Sequence, residues 1–111
     1  MDHLDHDNLT TLKQVMEDDF GLLIETFKQD SLERIKKLRE VIQGQSADAI
    51  RRAAHSFKGS SSNIGAQRLS SLCAEMEKKA LAGKLDDLAG DLQIIEQEFA
   101  VVESLLDDLV K

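Results

Sequence analysis

Proline is absent from all 111 residues of this chain, and glycine occurs only six times. Because proline is the residue that most strongly interrupts an α-helix, a chain without it can form long helices. Apolar residues recur every three or four positions over most of the length, which is the period of one face of a helix. No stretch alternates apolar and polar residues for long enough to predict a strand. The sequence therefore predicts an all-α protein.

Glycines and polar clusters divide the chain into five predicted helices. The first covers about residues 8–17, and Asp18, Asp19 and Gly21 then indicate a break. The second carries an apolar stripe and ends at Gly44, which we expect to form a left-handed cap. The third follows Ser46 as N-cap and runs to about residue 62, the fourth covers about 66–81, and the fifth about 85–110.

Short connections between long helices place sequence neighbours antiparallel. We therefore predict an up-and-down antiparallel four-helix bundle with a short extra N-terminal helix. At 111 residues the chain has room for a single domain, spanning residues 1–111 and standing alone rather than fused to a kinase.

The predicted core consists of one apolar stripe per helix. In the first helix we expect Leu9, Leu12, Val15 and Met16 to face inward, with Asp7 or Asn8 as N-cap. The stripe of the second helix is Phe20, Ile24, Phe27, Ser31, Ile35, Leu38 and Ile42. That of the third is Ile50, Ala53, Ala54, Phe57, Ser61 and Ile64. That of the fourth is Leu69, Leu72, Cys73, Met76 and Ala80, which indicates that the sole cysteine is a buried structural thiol. That of the fifth is Leu88, Leu92, Ile95, Phe99, Val102, Leu106 and Leu109.

One histidine lies on the polar face of the predicted third helix. At about 100° per residue, His55 falls well outside the buried stripe. Its neighbours on the helix surface are two arginines behind it and a lysine, a glycine and a serine ahead of it: Arg51, Arg52, Lys58, Gly59 and Ser62. An exposed imidazole, mostly neutral at cellular pH and ringed by cations and small residues, suits the approach of a phosphoryl group held by a second protein.

This segment resembles the histidine-containing phosphotransfer (HPt) domains of bacterial phosphorelays. The match is His55, Lys58, Gly59 and Gly65 at the spacing H-x-x-K-G-x-x-x-x-x-G, preceded by Ala54. The resemblance implies a four-helix bundle in which His55 accepts a phosphoryl group from an aspartyl phosphate on one receiver domain and passes it to another. The implied partners are receiver domains of a hybrid sensor kinase and of a response regulator. The resemblance also implies that this chain has no cofactor of its own and that the receiver would supply the Mg²⁺.

The residues around His55 suggest separate roles. Lys58 and Arg51 are expected to screen the charge of the phosphoryl group, and Gly59 to leave the backbone bare so that the partner's aspartate can come close. Arg52 and Ser62 are candidates to face the partner.

Two further positions belong to the candidate site. Gly65 suits a turn with positive φ that packs the third and fourth helices together. Members of the family often place a glutamine on the following helix within reach of the histidine, and by count that position is Glu77. A carboxylate there could orient the imidazole by accepting from its N–H, but it would also repel a bound phosphate.

An apolar patch next to the site is expected to complete the docking surface. Leu12, Met16 and Leu22, on the first and second helices, are its candidate members.

Composition and motifs exclude several classes of function. A formal net charge of −7 argues against nucleic acid. No apolar run reaches the roughly 20 residues that a membrane span needs, and the first residues lack the features of a secretion signal, so we expect a cytoplasmic monomer. No phosphate-binding loop for ATP is present, which predicts a carrier and not an enzyme. His3 and His6 lie among aspartates, but their spacing is weak evidence for a metal site.

The sequence also leaves one alternative open. A non-catalytic helical adaptor could bind a response regulator without carrying phosphate, although it would not require His55 and Lys58. A hydrolase using His55 as base would need a nearby nucleophile, and Ser60, Ser61 and Ser62 are better explained as small residues for packing and helix termination.

Overall fold

The computed structural model describes residues 2–110; Met1 and Lys111, the ends of the predicted domain, lie outside the described residues. Every regular element in that range is a helix. The elements are α1 (His6–Met16), a 3₁₀ turn (Glu17–Asp19), α2 (Phe20–Gln43), α3 (Ala47–Ile64), α4 (Gln67–Leu81) and α5 (Leu88–Val110).

The four long helices form a closed ring of neighbours. α2 packs against α3, α3 against α4, α4 against α5, and α5 back against α2, while α1 and the 3₁₀ turn lie against α2. The short connections between α2 and α3 and between α3 and α4 reverse the chain direction. The result is an elongated body of 43 × 24 × 19 Å. This confirms the predicted four-helix bundle with its extra N-terminal helix.

The core follows the predicted stripes closely. Leu38, Ile50, Phe57, Met76 and Ile95 are all fully buried. Two serines occupy core positions, one on α2 and one on α3, where their small size suits close packing of helices: Ser31 and Ser61. Cys73 is buried as predicted, and burial raises the pKa of its thiol to about 12, so it is an unreactive structural residue.

The first helix differs from its prediction. It begins at His6 because Asp5, and neither Asp7 nor Asn8, is the N-cap: the Asp5 side chain accepts from the Asn8 backbone N–H at 3.1 Å. The prediction that Val15 faces inward is wrong, since it is 76% exposed. One apolar stripe is enough for a helix that lies on the surface of the bundle, and Leu9 is its buried residue.

The conformation of one cap and the positions of two other boundaries also differ from the prediction. Gly44 has a right-handed φ of −75°, and the positive φ of 53° falls on Gln45, so the predicted left-handed glycine cap is wrong. α3 continues past residue 62 to Ile64, and α5 begins at Leu88, after a turn that includes Leu85. Ser46 caps α3 as predicted, by accepting from the Ala49 N–H.

Residues 2–5, here called the N-terminal strap, are tied to the turn between α3 and α4. The Asp5 N–H donates to the Gly65 carbonyl at 2.8 Å, and Leu4 is buried beside it. Gly65 has the predicted positive φ, 83°, and caps α3 in the left-handed conformation. Among residues 2–110, none of the helices combines the length and hydropathy that crossing a membrane requires.

Candidate functional site

His55 lies near the middle of α3, on the side that faces solvent and the edge of α4. Its side chain is 63% exposed, in contrast to its buried helix neighbours Ala54 and Phe57. Both lie on the apolar stripe that packs α3 into the core, so the stripe fixes the helix rotation that turns His55 outward.

Glu77 on α4 joins His55 to Lys58. Its Oε2 is 2.7 Å from Nδ1 of His55, and its Oε1 accepts from Nζ of Lys58 at 2.8 Å. The Glu77 side chain is only 15% exposed, so both carboxylate oxygens are satisfied by these two residues in a half-enclosed position. We call these three residues the His55 cluster.

The charges in this cluster are mutually dependent. The hydrogen bond from Lys58, followed by that from His55, lowers the pKa of Glu77 below its ordinary value of 4.5, against the opposing effect of burial. Glu77 is therefore ionised at neutral pH and can only accept hydrogen bonds. Since its partner atom is Nδ1 of His55 and a carboxylate can only accept, that nitrogen carries a proton, so a ring with a single proton has its lone pair on Nε2.

Lys58 does not project freely toward the space above His55, as a phosphate-facing lysine would. It is held by Glu77, and its own backbone carbonyl accepts a hydrogen bond from the Ser70 hydroxyl on α4. α3 and α4 pack more extensively than any other pair of helices described, which brings these side chains together.

The two arginines before His55 are engaged with their own helix. Arg51 Nη2 lies 2.9 Å from Asp48 Oδ1, and Arg52 Nε lies 3.0 Å from Asp48 Oδ2. The hydrogen bond from Arg51 is the main cause of a lowered pKa for Asp48. The positive charge expected around the ring is therefore partly neutralised at this end of the site.

Gly59 leaves open space beside the histidine. A Cβ added there would meet nothing within 4 Å, so internal packing does not require the absence of a side chain at this position. Ser62, two turns after His55, is exposed and lines a polar groove of about 620 Å³ with residues of α4 and the strap.

A second groove, of about 650 Å³, runs along the other side of Gly59 between α1, α2 and α3. Leu12 and Met16 line it as predicted, while Leu22 is exposed nearby on α2 and does not. The other apolar residues of this groove are Leu23, Phe27 and Ile64.

A polar network in this groove was not foreseen. Arg34 on α2 pairs with Asp30 at 2.6 Å and donates to the hydroxyl of Ser56, the residue next to His55. Asp30 also accepts from Ser60 at 3.5 Å. The spacing of four residues between Asp30 and Arg34 predicts an ion pair on α2. Their contacts with α3 could not be predicted from the sequence, because they depend on how the two helices align.

His3 and His6 do not form a metal cluster. Nδ1 of His3 lies 2.7 Å from Oε2 of Glu98, a residue on α5 whose side chain is only 4% exposed. Arg68 Nε lies 3.2 Å from the other oxygen, Oε1. We call His3, Arg68 and Glu98 the Glu98 cluster. Within residues 2–110 no group of three or more His, Cys, Asp or Glu side chains could hold a metal ion.

Comparisons with known proteins agree with this fold. The model of the Hpt domain family matches residues 22–111. Among solved structures, histidine-containing phosphotransfer protein B (HptB) from Pseudomonas aeruginosa PAO1 is 42% identical, and the match covers 96% of this chain and 92% of that one, with a TM-score of 0.92. No curated protein matches the sequence. The chain therefore belongs to the Hpt domain family, and its function is histidine phosphotransfer in phosphorelay signalling.

Proposed function

We propose that His55 is the residue that carries the phosphoryl group in this relay. It takes the group from an aspartyl phosphate on the receiver domain of a hybrid sensor kinase and gives it to the aspartate of a response regulator. The protein acts as a cytoplasmic monomer and as a carrier, not as an enzyme with its own turnover. The observation that supports this most directly is an exposed imidazole whose Nδ1 is held by Glu77 at 2.7 Å.

The geometry of the ring favours Nε2 as the attacking atom. Because Nδ1 donates to Glu77, the lone pair available for attack is on Nε2, on the opposite side of the ring. Phosphoryl transfer depends mainly on positioning the attacking and leaving atoms in line, and a fixed ring meets this need without a conformational change. Gly59 leaves the space through which the partner's carboxylate approaches.

Lys58 would stabilise the negative charge of the phosphoryl oxygens by exchanging partners. Its ammonium group already lies in the cluster, 2.8 Å from Glu77, on a flexible stem of four carbons. Arg51 would add long-range support from its position one turn before His55, and Arg52 and Ser62 would face the partner. The Mg²⁺ ion that such transfers use would be held by the acidic pocket of the receiver, with none in this chain.

The groove beside Gly59 would receive an apolar element of the receiver. Leu12 and Met16 line it, and Leu22 extends the apolar surface outward. Signalling contacts of this type are commonly small and transient, which suits a carrier that must release one partner before it binds the next.

The test is transfer from a radiolabelled phospho-receiver with Mg²⁺, comparing the wild type with His55→Gln. We expect acid-labile label on the wild type and none on the variant. His6→Gln is the matched control, since it changes an exposed histidine on α1 that is not part of the His55 cluster and should leave transfer unchanged. Binding to receivers without transfer from any of them would contradict the carrier role and favour an adaptor.

A further inference from the structure

We infer that Glu77 keeps the proton on Nδ1 of His55 throughout the transfer cycle and thereby makes the phosphorylated histidine a short-lived, reactive donor. This inference rests on the proposed function of His55 and concerns the same site. It makes Glu77 a positioning residue that acts through the imidazole and does not itself touch the phosphoryl group.

The first step of the argument is the charge on Glu77. Its side chain is 15% exposed and has two partners, Nδ1 of His55 and Nζ of Lys58. A half-enclosed carboxylate that loses a donor becomes a partly unpaired charge, which is unfavourable. If the phosphoryl group draws Lys58 away, the N–H of His55 is the donor that remains.

The second step follows the atoms through the reaction. Nε2 of the neutral ring attacks phosphorus, the P–O bond to the donor aspartate breaks, and its electron pair leaves with the carboxylate. The ring now bears a P–N bond at Nε2 and its original proton at Nδ1, so it is positively charged and faces the negative charge of Glu77. In the onward step the acceptor aspartate attacks phosphorus, and the P–N electron pair returns to Nε2. The ring is then released neutral, with the same proton on Nδ1.

The third step compares protonated and unprotonated phosphohistidine. A protonated ring leaves as neutral imidazole, whereas an unprotonated ring would have to leave as an anion and is a much poorer leaving group. Loss of the Nδ1 proton would also place a nitrogen lone pair against a carboxylate oxygen 2.7 Å away, with no hydrogen between them. Glu77 therefore favours the protonated, reactive form.

Charged side chains lie near the ring on both α3 and α4. From α4 the ring meets Glu77. On its own helix, Lys58 is paired with Glu77, while Arg51 and Arg52 are both paired with Asp48. Glu77 is the carboxylate in direct contact with the imidazole, so its replacement should dominate any change in the proton affinity of Nδ1.

A glutamine at this position should act in the opposite direction. The amide is uncharged and can turn its NH₂ group toward an unprotonated Nδ1, which it would stabilise. Glu77→Gln keeps the shape of the side chain, so it changes the charge without opening a cavity. It should give a longer-lived phosphohistidine and slower onward transfer.

The experiment measures how long the phosphoryl group stays on His55 as a function of pH. Wild type, Glu77→Gln and the matched control Glu75→Gln, an exposed glutamate on the same helix, are phosphorylated with phosphoramidate. The donor loses ammonia as its phosphoryl group moves to the ring. After the donor is removed, peptide mass spectrometry follows the phosphoryl group on the peptide that contains His55.

We expect the Glu77→Gln profile of decay rate to lie about one pH unit lower than the other two, so that at mildly alkaline pH the variant loses its phosphoryl group about tenfold more slowly. Nitrogen NMR of the unphosphorylated ring should show the proton on Nδ1 in the wild type and a shift toward Nε2 in the variant. Superimposed decay profiles from folded proteins would overturn the inference and leave the carrier role intact. Failure of wild-type His55 to accept phosphoryl from phosphoramidate or from any receiver would instead overturn the proposed function, and this inference with it.

Discussion

Two clusters in this molecule have nearly the same chemical composition. In each, Oε2 of a glutamate lies 2.7 Å from Nδ1 of a histidine, and Oε1 pairs with a cation, Lys58 at 2.8 Å in the His55 cluster and Arg68 at 3.2 Å in the Glu98 cluster. The difference lies in what surrounds them. The His55 cluster joins two adjacent helices and opens beside Gly59, whereas the Glu98 cluster joins the strap, α4 and α5 around a glutamate that is 4% exposed.

This comparison separates a reactive arrangement from a structural one. Next to His55 the surface is open, and the cation is a lysine, which can change partners. Next to His3 the strap is anchored by buried Leu4 and by the backbone bond of Asp5, and the cation is an arginine with a rigid guanidinium. Both histidines are exposed, His55 at 63% and His3 at 47%, so exposure of the ring alone does not mark a site; the open space at Gly59 and the lysine partner distinguish the His55 cluster.

The largest predicted effect contrasts the two histidines. His55→Gln should abolish acceptance of phosphoryl from a phospho-receiver, while His3→Gln should leave the transfer rate unchanged, because His3 lies outside the proposed docking surface. Time courses of transfer, read by label on gels, give both rates. A large loss of transfer in His3→Gln with its fold intact would show that the strap takes part in docking and would contradict a purely structural role for the Glu98 cluster.

The next effect contrasts two glycines. Gly65→Ala should lower the free energy of unfolding by about 2–3 kcal/mol, because the residue has a positive φ and its new Cβ would lie 3.2 Å from the Asp5 and Asn8 side chains. Gly59→Ala should raise it by about 0.5–1 kcal/mol, since the helix gains propensity in open space. Urea unfolding measures both. The same Gly59→Ala should slow transfer from a receiver yet not phosphorylation by phosphoramidate, which needs no protein surface.

A third contrast compares the two cations. Arg68→Ala should lower the free energy of unfolding by about 1.5–2 kcal/mol, because it leaves one oxygen of the buried Glu98 carboxylate without its ion-pair partner. Transfer should persist in that variant. Lys58→Ala should change stability less but slow transfer, and equal effects of the two substitutions on both measurements would contradict the comparison.

The smallest predicted effect is a pH dependence of stability. The pKa of Glu77 is lowered in the folded protein, chiefly by the hydrogen bond from Lys58, so its contribution to stability is present above its ordinary value of 4.5 and is lost as pH falls through the folded-state pKa. The part of the wild-type stability advantage over Glu77→Gln that comes from the ionised carboxylate should shrink as pH falls below 4.5 and disappear in acid. Glu75→Gln, measured by the same urea titrations, should show no such trend.

Sequence alone was enough for the helices and for the orientation of His55. The three-and-four spacing of Ile50, Ala54 and Phe57 sets which face of α3 is buried. Because the helix is regular, this rotation also fixes His55 on the solvent-facing side. The position of Glu77 came by count from the resemblance, and the structure places it in contact with the ring.

The features that the sequence did not reveal depend on a choice among several suitable residues, or on contacts between residues that are far apart along the chain. Asp5, Asp7 and Asn8 are all good N-caps, and the choice among them is made by the bond from Asp5 to the Gly65 carbonyl. The left-handed conformation that we expected at Gly44 occurs at Gln45, one residue later in the turn. The pairing of His3 with Glu98 joins residues 95 positions apart, and no local pattern indicates it.

The separation of these paired residues along the chain also predicts the order in which parts of the protein fold. His55 and Glu77 are 22 residues apart, on two helices joined by a tight turn, whereas His3 and Glu98 span almost the whole chain. Contacts between near positions require less loop closure and form earlier in folding, so the hairpin of α3 and α4 should assemble before the strap closes over it. By the same reasoning, local opening of the strap in the native state would leave the nucleophile and its carboxylate together.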